Sequence, residues 1–361
     1  MNPTVIQGGM ADAIAHAFYS IGYRPRESLV LVGLRGPRLR LGVTLRIDLP
    51  PTERHRLPLS GHVRALRGDG ADAVIVIIVS ERSSAPAGGR RGRAGPSAPH
   101  QRLVRAVRRA LADAGLDVLD VLTVGEHTWR SALCRSADCC PPEGRPLADV
   151  MTSAVATWRV TRGQVLAADE EALMAFVDPV PQPVPEGVVP PDGAPSSAVM
   201  SAREALGRWR SLLDDDALRA PPDGAAVLPD VRWLAEALQD RRLRDAVLLS
   251  LLPDAGTASD DVLLRADASV MDELFEAPPD AELLARGTAL LAAVARAAPP
   301  GRRADALALL AWAAWWAGEG ARGRLLAARA MADQPSHTLA ALVDQLLYVG
   351  VAPGWTRRRA G

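Results

Sequence analysis

The chain has 361 residues, 48% hydrophobic and 23% charged, a balance that excludes a disordered protein and leaves room for two domains. Its 42 basic and 42 acidic side chains cancel, so no global field draws it to nucleic acid or anionic lipid. Every basic side chain among the 42 is arginine and Asn2 is the sole asparagine, a bias that reads as a GC-rich genome and not as phosphate recognition. The opening residues lack the basic start and continuous apolar stretch of a signal peptide, and no run of about 20 apolar residues exists to cross a membrane. Three cysteines are too few for a secreted disulfide scaffold, so a cytoplasmic protein is expected.

Residues 10–21 read as an amphipathic helix with Ile14, Phe18 and Ile21 on one side; Gly22 can end it and Pro25 stops continuation. Residues 28–34, with Val30 and Val32, predict a buried strand. After the turn signal Arg35-Gly36-Pro37, residues 39–49 alternate, with Leu39, Leu41, Val43 and Leu45 facing one way, as the second arm of a hairpin does. A helix is expected within residues 52–67, broken or displaced by Pro58. Residues 73–79, AVIVIIV, are apolar on both faces and belong at the centre of a covered sheet. Residues 81–99 have no periodicity and predict a mobile loop; a helix over 101–114 and a strand over 118–124 follow. Strands alternating with helices predict an α/β domain over residues 1–177, built on a mixed sheet flanked by helices.

Residues 178–196 hold seven prolines and predict a semi-extended linker. From residue 197 to 361 the period turns helical, with helices expected at 198–213, 228–252, 281–298 and 302–317 and no strand. Residues 304–350 divide into three helical segments at Gly318-Glu319-Gly320 and Gln334-Pro335-Ser336. This tail resembles a tetratricopeptide unit through Trp315-Trp316-Ala317-Gly318, Arg329-Ala330-Met331 and Pro335, with Gly323 where that motif prefers Ala. One such unit cannot bury its own faces, so the preceding helices must supply its neighbours.

A second resemblance covers nearly the whole chain. The stretches Gly22-Tyr23-Arg24-Pro25-Arg26-Glu27-Ser28-Leu29-Val30, Arg46-Ile47-Asp48-Leu49-Pro50, Trp129-Arg130-Ser131 and Cys139-Cys140-Pro141-Pro142-Glu143-Gly144 carry it. Together they resemble the uncharacterised actinobacterial family catalogued as domain of unknown function 4192. The resemblance implies a common fold and brings no activity.

Three groups of residues are candidates for chemistry. Cys134, Cys139 and Cys140 can hold zinc with His127 as a fourth ligand, or form a reversible disulfide, or pack a loop as small buried thiols. Adjacent cysteines do not easily face one ion and zinc loops usually space their cysteines two apart, so no metal and no cofactor is expected, and at most one disulfide. Arg24, Glu27, Ser28, Arg46 and Asp48 flank the ends of the first two strands, where they can line a polar pocket or simply satisfy turn amides and surface pairs. Trp312, Trp315 and Trp316 share one helix face, either packed against Leu325, Leu326 and Ala330 or docking a protein partner; packing is favoured.

Two functions remain. The favoured one is a non-enzymatic interaction or scaffold protein whose helical groove takes an unidentified protein partner, without nucleic acid or membrane. The alternative is an enzyme or small-ligand domain with its site at the N-terminal strand ends.

Overall fold

A computed structural model describes residues 9–50, 59–84, 100–179, 200–214, 231–253, 255, 257–263 and 277–358. The chain divides into two compact units, Met1–Leu173 with Tyr348–Val351, and Met174–Leu347 with Ala352–Gly361. The expected linker, apart from Asp178 and Pro179, lies outside the described residues, as does most of the expected mobile loop. The first residues of that loop, Glu81–Ser84, form a 3-10 turn.

The first unit is an α/β sandwich around one mixed sheet. Helix α1 (Met10–Ile21) ends where Gly22 takes a left-handed conformation and its amide donates to the Phe18 carbonyl. Strands β1 (Ser28–Arg35) and β2 (Arg40–Asp48) form the expected hairpin, and α2 (Ser60–Gly68) follows. Strand β3 (Ala73–Val79) is buried along its whole length. Helix α3 (Gln101–Asp113) then carries the chain to β4 (Asp117–Val124), which pairs parallel to β3. Two further strands extend the sheet beyond the four expected: β5 (Thr128–Ser131) and β6 (Arg145–Pro146). The order is β2-β1-β3-β4-β5-β6. Leu29, Leu31, Val74, Val76, Ile78 and Val121 form one face of the core with Leu66 of α2 and Val107 and Leu111 of α3. Such a doubly covered strand reads as an unbroken apolar run, which is what residues 73–79 are.

Helix α1 touches β1, β2 and α5 (Ala154–Thr161), which follows the short α4 (Ala148–Met151). Its buried Asp12 accepts the Val155 amide at 3.1 Å, so α1 caps the start of α5 from 143 residues away. One turn further along, His16 sits with Nε2 3.3 Å from Ser20 Oγ and 3.5 Å from Thr44 Oγ1, and Nδ1 3.5 Å from Arg159 Nη2. Burial, with the Arg159 charge adding to it, pulls its pKa down from 6.5 to about 4. A histidine kept neutral by the fold binds its proton more readily in the unfolded chain. Its contribution is therefore intact above pH 6.5 and is lost as pH falls towards 4, by about 3 kcal/mol in all. Chemical unfolding of the wild type and His16→Gln at several pH values checks this. The difference in stability between the two should shrink steadily from pH 6.5 to pH 4, and a constant difference would contradict it.

In the second unit every described element is helical. The helices are Ala202–Leu213, Arg232–Ala237, Arg241–Ser250, Ala258–Leu263, Ala281–Ala297, Ala304–Trp316, Gly320–Asp333, Thr338–Val349 and Gly354–Arg358. The helix expected over 228–252 is two, because Asp240 turns its carboxylate onto the Arg242 amide and starts a new helix. Ala304–Trp316 is buried on nearly all sides, and Asp305 lies inside it. Asp305 Oδ1 faces His337 Nε2 at 2.9 Å and Arg244 Nη1 at 3.5 Å, while Oδ2 accepts from Gln239 Nε2 at 2.9 Å. His337 Nδ1 accepts the Ala340 amide at 3.1 Å, so Nε2 carries the proton that points at Asp305.

Candidate functional site

The chain segment between α1 and β1 meets the carboxyl ends of the central strands β3 and β4, and a pocket of about 330 Å³ opens there. Arg24, Arg26, Glu27, Ser80, Glu81 and Glu126 supply its polar lining, over a floor that includes Val79, Val124 and Gly125. Pairing places these residues together: Ser28 lies opposite Val79, and Val79 beside Val124.

Two side chains hold the pocket in shape. Arg24 is half-buried and donates through Nη2 to the carbonyls of Gly125 at 2.7 Å and Glu126 at 2.9 Å, fixing the β4–β5 turn. Burial pulls its pKa down, and the Glu126 carboxylate opposes that. Glu27 has φ 38°, a left-handed backbone that is uncommon for a residue with a Cβ. That conformation turns its carboxylate across to the exit of β3, where Oε2 accepts from Ser80 Oγ at 3.1 Å and Oε1 from the Glu81 amide at 2.9 Å. Strained backbone of this kind tends to gather at binding sites, where surrounding structure holds it. Arg26 and Glu81 stand exposed at the rim.

The other strand-end candidates group beside the pocket and are not among its lining residues. Arg46 donates to Asp48 at 2.6 Å and through Nε to Ser28 Oγ at 3.1 Å, with its guanidinium 5.8 Å from the centre of the Tyr23 ring. Tyr23 is buried and donates to Glu170 at 3.2 Å; burial, more than its charged neighbours, pushes its pKa up to about 12. So Arg24 and Glu27 line the cavity, whereas Ser28, Arg46 and Asp48 brace the hairpin next to it. Ser80, Glu81, Gly125 and Glu126 were not among the sequence candidates. Their signal is positional: the pairs Ser80-Glu81 and Gly125-Glu126 follow the apolar runs of a parallel strand pair, where open α/β sheets put ligands.

The cysteines lie on the β5–β6 loop. The sulfurs of Cys134, Cys139 and Cys140 are all within 4.8 Å of one another. Burial raises the Cys140 thiol pKa, while hydrogen bonding with the Ser136 backbone, and then with Cys140, lowers that of Cys134. His127 is exposed, with Nε2 3.8 Å from Glu126 Oε1, and is not grouped with the three sulfurs. Among the tryptophans, Trp316 and Trp312 are buried and stacked with centroids 5.4 Å apart, while Trp315 is half-exposed. Two of the three indoles of this stripe are therefore inside the core.

The family model described as Domain of unknown function (DUF4192) matches residues 11–354. The chain belongs to this family. The match takes in the pocket, the cysteine loop and most of the helical unit, so all three are parts of one family architecture. No curated protein and no solved structure matches the chain. No helix among the described residues is long and apolar enough to cross a membrane.

Proposed function

We propose that the N-terminal unit binds a small polar molecule at the carboxyl ends of β3 and β4. The observation that carries this reading is the pocket itself, held open by Arg24 and by a left-handed Glu27. About 330 Å³ is at the small end of the range for ligand sites and suits a molecule of metabolite size. Arg24 and Arg26 favour an acidic group, whereas Glu27, Glu81 and Glu126 favour an amine or hydroxyl donor, so the lining suits a zwitterion or a hydroxy acid. Arg24 and Glu27 are already engaged in framework hydrogen bonds, which suits recognition better than proton transfer.

The test is a calorimetric screen of the full chain against amino acids, hydroxy acids, nucleosides and sugar phosphates. At least one acidic or zwitterionic class should bind, and Arg26→Ala, at the exposed rim, should weaken it about tenfold, as loss of a charge-assisted hydrogen bond does. Failure of every class, or wild-type affinity in both Arg26→Ala and Glu27→Gln, would overturn the reading.

A second reading concerns the helical unit, which we take as a cytoplasmic protein-docking surface of tetratricopeptide kind. The exposed Leu342, beside the buried Leu339 and Val343 on the same helix, supports it as an apolar side chain left outside the core. With Trp312 and Trp316 buried, the partner-facing candidates narrow to Trp315 and Leu342.

A further inference from the structure

We infer that Cys134, Cys139 and Cys140 form a three-thiolate site for one zinc(II) ion, with the fourth coordination position open to solvent or an incoming ligand. Cys139 and Cys140 bring their sulfurs to 4.0 Å, and the three sulfurs together span no more than 4.8 Å. Zinc–sulfur bonds of about 2.3 Å in a tetrahedron set sulfur–sulfur edges of about 3.8 Å, so the loop is within about 1 Å of binding geometry. A disulfide would use two of these thiols and strand the third. A metal ion uses all three.

The loop is built to hold this arrangement before any ion enters. Ser131, at the end of β5 and buried, donates through Oγ to Asp120 at 2.6 Å. The same oxygen accepts the amides of Leu133 at 3.1 Å and Cys134 at 2.9 Å, which fixes where Cys134 leaves the sheet. The Cys140 amide then closes a turn onto the Ser136 carbonyl at 2.9 Å. That turn overcomes the objection raised by the sequence: neighbouring side chains diverge on an extended strand, but here the backbone is bent and both sulfurs face Cys134.

Each cysteine binds as a thiolate, so loading releases the thiol protons to solvent and leaves a zinc centre with net charge −1. Two arginines stand ready to offset it. Arg145 donates to the Cys139 carbonyl at 3.0 Å and Arg130 to that of Pro142 at 3.2 Å, which places both cations on the loop. Cys139 is exposed, so the cluster is open to solvent at that thiol.

Cobalt(II) titration of the fully reduced full-length chain under anaerobic conditions reads the site directly. One equivalent should give thiolate-to-cobalt charge-transfer absorption of three-sulfur intensity, and one equivalent of zinc(II) should abolish it. Cys139→Ser, an exposed change whose fold circular dichroism can check, should weaken cobalt binding by at least about tenfold, since loss of a direct ligand exceeds the effect of an outer-shell change. Cys134→Ser should do the same. Absence of the charge-transfer band, its persistence in excess zinc(II), or undiminished binding by Cys139→Ser would each overturn the assignment. The pocket screen above is independent of this outcome.

Discussion

Asp305→Ala is expected to destabilise the helical unit by about 3–5 kcal/mol, the cost of removing one partner from a buried charge cluster. The carboxylate is buried and serves three side chains from three other segments: Gln239, Arg244 and His337. Arg244 keeps an exposed partner in Asp245 at 2.9 Å, which tempers the loss. Among the described residues His337 has no such reserve at Nε2, and its other nitrogen already accepts the Ala340 amide. Alanine would leave that N–H facing a void. Asp305→Asn keeps the volume and one acceptor oxygen but not the charge, so its cost should fall between wild type and alanine. Urea unfolding followed by circular dichroism orders the three. Equal stability of wild type and Asp305→Ala would mean that the cluster is not closed in solution.

Trp316→Ala should cost a similar amount, about 3–5 kcal/mol, by emptying a fully buried indole site. The ring stacks on Trp312, and the Trp316 carbonyl accepts the Trp355 indole N–H at 2.9 Å, so this one residue joins its own helix to the last. Backbone acceptance survives substitution, so the loss comes from packing. Two comparisons separate packing from other effects. Trp315→Ala, at a half-exposed position on the same helix, should cost clearly less. Trp316→Phe should also cost less, because it retains an aromatic ring and removes an indole N–H that has no acceptor among the described residues. If Trp315→Ala proved the most costly of the three, the order of burial along this helix would be contradicted.

Much of the fold was legible because long apolar runs carry a strong period. The β-branched run of residues 73–79 reads as a doubly covered strand, and Gly22 marks the end of α1, where it takes the left-handed conformation. What escaped was short or set by distant partners. Strands β5 and β6 have four and two residues, too few for alternation to register, and β6 includes a proline. The break at Asp240 carries no Gly or Pro, only a capping carboxylate between two helices of similar character. At the candidate site, Arg24 and Glu27 stood out because they follow a helix stop and precede a strand. Arg46 and Asp48 stood out because they end the next strand, but residues two apart on a strand share a face and these two pair with each other. Ser80 and Glu126 carried only the positional signal of following an apolar run, and the parallel pairing of β3 with β4 is what brings them to one end of the sheet. Spacing likewise argues against the cysteine cluster, because it does not show the turn that the Cys140 amide closes onto the Ser136 carbonyl.

The claim that the β3 and β4 ends form a ligand site is tested most directly by amide chemical-shift mapping on the full chain, titrated with the tightest binder from the screen. Saturable shifts are expected at the amides of Glu27, Glu81, Gly125 and Glu126, which surround the pocket. Shifts that saturate with these four amides unmoved would contradict the account.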